Sequence, residues 1–269
     1  MQGQSAKNLK EYEGEDQVVS SHEFALRLKE NPDSIIRVKS LIPSLDVGIE
    51  DFRDGEVIGI SGPPKTGKTL LAQTLTVNFA KQQYFSLWFT YEVPARQFLS
   101  QFPEMPLIYL PSKLKAHALP WFEERVQESF LKYHTRIIFI DHLHYLIDLA
   151  RLRNPSIEIG QVIRRLKTLA VNGGFIIFLL CHTTKGAREN NDLSYESIRD
   201  SSFVSQESDT VFMIKRTPDV GENTAKLRVE FHRRTGVLEK VIDLVKVNGL
   251  LQEQTPREER PVRRDWDSP

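Results

Sequence analysis

Cysteine is nearly missing from this 269-residue chain. Its one example, Cys181, cannot close an internal disulfide. It ends the apolar run Phe175-Ile176-Ile177-Phe178-Leu179-Leu180, which makes it a core thiol and points to a reducing, intracellular setting. No stretch approaches the roughly 18 uninterrupted apolar residues that a membrane span requires, and the polar start Met1-Gln2-Gly3-Gln4 has no signal-peptide character. The expectation is a soluble protein with no membrane partner. An excess of charge is absent too: 36 basic residues balance 36 acidic ones, which excludes a continuous positive coat but leaves room for a basic groove. There is no internal repeat. What the chain does have is 40% hydrophobic residues, enough for a full core in one large domain or two small ones.

The most informative stretch is Gly62-Pro63-Pro64-Lys65-Thr66-Gly67-Lys68-Thr69. This is the spacing of a P-loop, a tight turn whose backbone N–H groups point at phosphate oxygens and which opens into a helix N-terminus. The glycines let the backbone approach the phosphates, Lys68 reaches the β and γ phosphates of ATP, and the Thr69 hydroxyl ligates Mg²⁺. The flanks agree, with the apolar strand Val57-Ile58-Gly59-Ile60 before the loop. After it Leu71, Leu75 and Phe79 recur at helical spacing.

Around this loop, strands and helices alternate. Residues 85–89, 137–140 and 175–181 are apolar on both faces, and amphipathic helices over 121–133 and 157–171 separate them; such runs predict a parallel sheet covered on both sides. Residues 211–214, 226–231 and 237–247 alternate more and predict antiparallel strands at the C-terminal edge. Residues 1–40 divide into a polar start and a short helix with a capping box, Ser20 with Glu23, carrying Phe24 and Leu28 on one face. That helix either packs on its own domain or docks on a neighbouring subunit. The body spans 41–252, with 42–46 as a lead-in to a turn at Asp54-Gly55, and a charged tail, 253–269, is expected to be disordered.

Asp141 ends the strand 137–140, where a P-loop hydrolase needs a carboxylate in the Mg²⁺ shell; a turn or helix cap is the alternative. Water attack also needs a carboxylate. Glu92, just past strand 85–89, is one candidate, although a lone loop glutamate is ordinarily a solvated surface residue. Lys65 offers either an extra phosphate contact or an exposed side chain.

Taken in order, these segments resemble the ATPase domain of the DnaB-type hexameric replicative helicases, in the form found in bifunctional phage primase-helicases and mitochondrial Twinkle. The likeness runs from about Leu41 to Leu251. Phe89-Thr90-Tyr91-Glu92 resembles the strand ending in the catalytic glutamate, Ile140-Asp141-His142-Leu143 the Walker B segment, and Leu180-Cys181-His182 the strand ending in a polar γ-phosphate sensor. His232-Arg233-Arg234-Thr235-Gly236 resembles the segment that projects basic residues onto the nucleotide of the adjacent subunit. His232 departs from the family's usual lysine, and its charge near neutral pH depends on its surroundings. Arg234 is therefore expected to be the trans-acting finger.

The resemblance implies an α/β RecA-like P-loop NTPase, with a mostly parallel central sheet flanked by helices. It implies an ATP- and Mg²⁺-dependent helicase, a homo-hexamer or other ring on single-stranded DNA with replication proteins as partners, located in the cytoplasm or nucleoid. Lys68, Glu92, Asp141, His182 and Arg234 would carry the chemistry. Arg151, Arg153, Lys185, Arg188 and Arg199 are candidates for DNA contact, each of them equally readable as a solvated charge. The rival readings are a nucleotide-switched loader or assembly factor that binds DNA without unwinding, and a recombinase-like filament ATPase. The chain is shorter than full replicative helicases, which leaves a partner to supply an N-terminal helical or primase domain.

Overall fold

The structure, a computed structural model, describes residues 14, 17–30, 35–147, 155–181, 206–218 and 221–254. The chain divides into two compact units between Ile36 and Arg37. In the first, helix α1 spans Ser21–Glu30. Half of the expected capping box forms: Ser20 Oγ accepts from the Glu23 N–H at 3.1 Å, while the Glu23 carboxylate turns away to Arg27 at 2.6 Å. Phe24 and Leu28 are exposed.

The second unit is built on a nine-stranded sheet of order β11-β10-β9-β8-β3-β7-β6-β4-β5. Strands β3 (Val57–Ser61), β4 (Ser86–Thr90), β5 (Ile108–Tyr109), β6 (Ile137–Asp141), β7 (Ile176–Leu180) and β8 (Thr210–Arg216) run parallel. Strands β9 (Thr224–His232), β10 (Val237–Val247) and β11 (Leu250–Glu253) continue the sheet antiparallel at one edge, as expected. The helices are α2 (Pro43–Ile49), α3 (Lys68–Lys81), α4 (Ala95–Leu99), α5 (Leu119–Tyr133) and α6 (Pro155–Gly173), and β1 (Arg37–Val38) pairs with β2 (Phe52–Arg53) in a separate ribbon.

The doubly apolar runs of β3, β4, β6 and β7 are wholly buried because both sheet faces are covered. Side-chain alternation splits the core in two. Phe139, Phe178 and Trp88 point to the face where Phe52, Phe79 and Phe98 pack on them, with ring centroids 4.6–6.3 Å apart. Ile138, Ile140, Ile177 and Leu179 point the other way, onto Phe122 and Val126 of α5 and Ile163 and Leu166 of α6.

The lead-in holds a helix that the sequence pattern did not announce. Asp46 of α2 accepts from the backbone N–H of Ser40 at 2.8 Å and of Leu41 at 3.1 Å, folding the approach back on itself. Sheet order also runs one residue past the expected end of the body. Glu253 closes β11, and its carboxylate accepts from the Ser44 N–H at 2.7 Å.

Candidate nucleotide site

Loop 62–67 leaves the C-terminal end of β3 and feeds α3. Gly62 has φ 153°, and a Cβ there would overlap the Ile214 carbonyl oxygen, so only glycine fits between the loop and β8. Gly67 caps α3 at φ 105°, a left-handed position. The Thr66 hydroxyl donates to Pro63 O at 2.7 Å and ties the loop across itself.

Lys68 is 6% exposed, and its Nζ donates to the carbonyls of Gly62 and Pro63, each at 2.9 Å. Burial pulls its pKa down, against the opposing pull of Glu92 and Asp141. Across from it, Thr69 Oγ1 donates to Asp141 Oδ2 at 3.0 Å. Asp141 is 3% exposed, and desolvation, helped by the charge of Glu92, pushes its carboxyl up to about 6. Glu92 is exposed and follows β4; its N–H donates to Asp141 O at 3.3 Å, and the Thr90 hydroxyl closes the turn on Val93 O at 3.1 Å. The structure thus brings Lys68, Thr69, Glu92 and Asp141 to one end of the sheet.

A cavity of about 220 Å³ opens beside the loop, lined by Lys65, Gly67, Arg216, Asn223, Thr224 and Lys246 among others. Sequence reasoning missed Arg216 and its neighbours. They gather there because β8 runs parallel beside β3 and β9 and β10 follow it in the sheet, neighbour relations with no local sequence signal.

Arg234 lies elsewhere. Because β9 runs antiparallel to β8, with Thr210 opposite His232, the turn 233–236 sits at the N-terminal end of β3, the far end of the sheet from the P-loop. His232 does not join a basic pair. It is 1% exposed, and burial, with Arg234 adding repulsion, depresses its pKa to about 4, so it is neutral near pH 7. Its Nδ1 accepts from the Thr235 N–H at 3.2 Å, which leaves the ring proton on Nε2. His182, Arg151, Arg153, Lys185, Arg188 and Arg199 lie outside the described residues.

A parallel sheet with a P-loop at the end of one strand and a buried aspartate at the end of another defines a RecA-like nucleotide-binding domain. A family model described as the DnaB-like helicase C terminal domain matches residues 107–245, and the chain belongs to that family. It is 21% identical to the replicative DNA helicase DnaB of Rickettsia conorii over 233 aligned residues, covering 71% of this chain and 47% of the relative. The Rickettsia felis DnaB is 20% identical with the same coverage. The chain spans about half the length of these curated relatives. Among solved structures, one described as an ATPase domain superposes with a TM-score of 0.73 at 17% identity, covering 88% of this chain and 100% of that one. A DnaB-like replicative helicase, solved in a study of its interactions with primase, gives 0.71 at 18% identity over 93% and 71%. These two likenesses bear out the fold.

Proposed function

We propose that this chain is the ATP-hydrolysing motor of a ring-shaped replicative DNA helicase, with ATP and Mg²⁺ held between neighbouring copies and hydrolysis driving movement along single-stranded DNA. The observation that carries this is the separation of the two halves of the hydrolytic apparatus. P-loop, Glu92 and Asp141 stand at one end of the sheet and the arginine turn at the other, roughly 15 Å or more away at about 3.3 Å per strand residue. A turn so placed reaches only a neighbour's nucleotide, and a closed ring satisfies every such site.

The residues fit Mg²⁺·ATP. Gly62 lets the loop lie against β8, where a Cβ would overlap the Ile214 carbonyl, Lys68 is a buried cation at the loop, and Thr69 with Asp141 forms the oxygen pair that would hold Mg²⁺. Held by Thr69 and Asp141, Mg²⁺ would neutralise charge developing on the phosphates. Lys68 exchanges its loop carbonyls for phosphate oxygens, and Glu92 orients the attacking water and takes its proton. The cavity beside Arg216 receives the base and ribose, with Lys65 at its rim. His182 follows β7, where it would read the γ phosphate. Arg151, Arg153, Lys185, Arg188 and Arg199 belong to segments after β6 and β7 and would track the DNA backbone. The exposed Phe24 and Leu28 of α1 suit docking on the next copy. The curated relatives are replicative DNA helicases and one structural neighbour was solved in a study of its interactions with primase, so replication proteins are the partners to expect.

The test is ATP turnover with and without single-stranded DNA, alongside oligomeric state and strand displacement. DNA-stimulated turnover in a closed ring that displaces a strand is the expected result. DNA binding without displacement would replace the motor with a loader, and open filaments would replace it with a recombinase-like ATPase.

A further inference from the structure

A second cavity lies beside β5, at the edge of the sheet opposite β11. It holds about 370 Å³ between α5 and the segment that leaves β5, and Tyr109, Lys113, Lys115, Trp121, Arg125 and Tyr133 line it. Four strand spacings of about 4.8 Å separate β5 from β3, which puts the cavity roughly 19 Å from the P-loop strand. It is no part of the P-loop site.

The charge of this cavity is one-sided. Lys113 and Lys115 are exposed and pair with no carboxylate among the described residues. Glu128, the acid in the wall, is already held by Arg125 Nη1 at 2.7 Å and Lys132 Nζ at 2.5 Å, so it leaves both lysines uncompensated. Arg125 Nε is buried and meets no acceptor among the described residues, a desolvation cost that an anionic oxygen in the cavity would remove. The rest of the wall is aromatic. Tyr109 and Tyr133 stack with centroids 4.2 Å apart, Tyr133 stays exposed, and Trp121 adds another ring. An inorganic anion has no use for rings, and an apolar ligand would strand the cations. Rings beside uncompensated cations suit a planar base that stacks and a phosphate that pairs.

We propose that this cavity binds a nucleotide unit, its base against the rings and its phosphate on Lys113, Lys115 and Arg125, and that occupancy reaches the hydrolytic end through Tyr91 and Tyr145. Free nucleotides and single-stranded DNA both carry this chemistry. The route is short. Tyr91 Oη donates to Lys115 O at 3.2 Å, and Glu92 is the next residue. The His117 N–H donates to Tyr145 O at 2.8 Å, and the Tyr91 and Tyr145 rings stack with centroids 5.3 Å apart. A ligand that draws Lys113 and Lys115 inward therefore pulls on the turn that carries Glu92 and on the one that follows Asp141. Only this coupling rests on the motor proposed above; the binding does not.

Trp121 reports the site. Of the three tryptophans, Trp88 is fully buried and Trp266 is silenced as Trp266→Phe. The full chain is titrated with AMP, with a short oligothymidine, with an abasic strand of equal length and with inorganic phosphate. Stacking of a base should quench Trp121 fluorescence, and Trp121→Phe should remove the signal. Quenching by AMP as tight as by oligothymidine identifies a free nucleotide as the ligand, and quenching by oligothymidine alone identifies the DNA strand. The abasic strand should compete at least about 5-fold more weakly. The double variant Lys113→Ala, Lys115→Ala should raise the Kd about 10-fold at moderate salt. Tyr91→Phe should keep that Kd and lose most of the stimulation of turnover that the ligand gives. Absence of quenching by both base-containing ligands, equal competition by the abasic strand, or an unchanged Kd in the lysine variant overturns the site and leaves the motor standing. Lysine-dependent quenching in a wild-type protein that hydrolyses no ATP overturns the motor and the coupling and leaves the site standing. Full stimulation in Tyr91→Phe overturns the coupling alone.

Discussion

Thr69 Oγ1 and Asp141 Oδ2 meet at 3.0 Å across the head of α3, although 72 residues separate them in the chain. Their meeting follows from sheet order: α3 starts where β3 ends, β7 lies between β3 and β6, and the parallel register brings Asp141 level with Leu180 at the same sheet end. The pair carries a conflict between stability and function. An ionised carboxylate at 3% exposure is costly to bury, and Glu92 adds repulsion. Asp141→Asn is therefore expected to hold or raise the Tm at pH 7.5 in the absence of Mg²⁺, while turnover falls by on the order of 100-fold or more if Asp141 is the Mg²⁺ ligand proposed above. Differential scanning fluorimetry and a coupled ATPase assay read the two effects. A clear drop in Tm would mean that Asp141 is a structural cap.

Gly62 tests the loop itself. Alanine there combines a φ of 153° with a Cβ that overlaps a backbone oxygen of β8, and backbone cannot yield as a flexible side chain would. The conformational strain alone costs on the order of 1–3 kcal/mol, with the clash in addition. Gly62→Ala should lower unfolding stability in urea by that amount or more and weaken ATP-analogue binding at least 10-fold. Gly236 serves as the control: it also has positive φ, but among the described residues nothing lies within 4 Å of its Cβ position, so Gly236→Ala should cost about 1 kcal/mol and leave binding intact.

The nucleotide end of the molecule was largely legible in the sequence. Strands buried on both faces write themselves as unbroken apolar runs, and a P-loop is a local motif whose flanks are also local. The strand, loop and helix around 57–81 and the strand ending at Asp141 formed where expected. Two kinds of feature escaped. Short elements such as α2, β5 and β11 are too brief for periodicity to register. Relations set by sheet order leave no local trace: Arg216 joins the P-loop cavity because β8 flanks β3, and Arg234 meets Glu56 across 178 residues.

Glu92 stands just beyond the Asp141 carbonyl, on a turn closed by Thr90 and exposed to solvent. Glu92→Gln keeps size and polarity but cannot accept a proton. Turnover should fall roughly 10²- to 10⁴-fold with ATP affinity changed less than about 3-fold, as befits a group acting on the transition state. Single-turnover kinetics would place the defect in the chemical step. An equal loss in binding would return Glu92 to the status of a loop charge.

His232 makes the arginine turn sensitive to acid. It is held near pKa 4 against an ordinary 6.5, first by burial and then by Arg234, while Asp209, Glu50 and Asp51 pull the other way and Glu56 Oε1 stands 4.0 Å from Nε2. A depressed pKa stabilises the folded chain above pH 6.5, where the ring is neutral in both states. That contribution is lost as pH falls from 6.5 toward 4, where the unfolded chain takes up a proton that the folded chain resists. The full depression is worth on the order of 3 kcal/mol. Urea unfolding of wild type and His232→Asn across pH 4.5–8 should give curves whose difference grows below pH 6.5, the wild type losing more stability than the variant. Turnover should fall over the same range as the turn loosens, and it should fall less in His232→Asn, because asparagine can accept from the Thr235 N–H without titrating. Parallel stability curves would show that the ring titrates alike in the folded and unfolded chain, and a difference of opposite sign extending above pH 6.5 would place a second cation beside Arg234 within its cage of Glu50, Asp51 and Glu56.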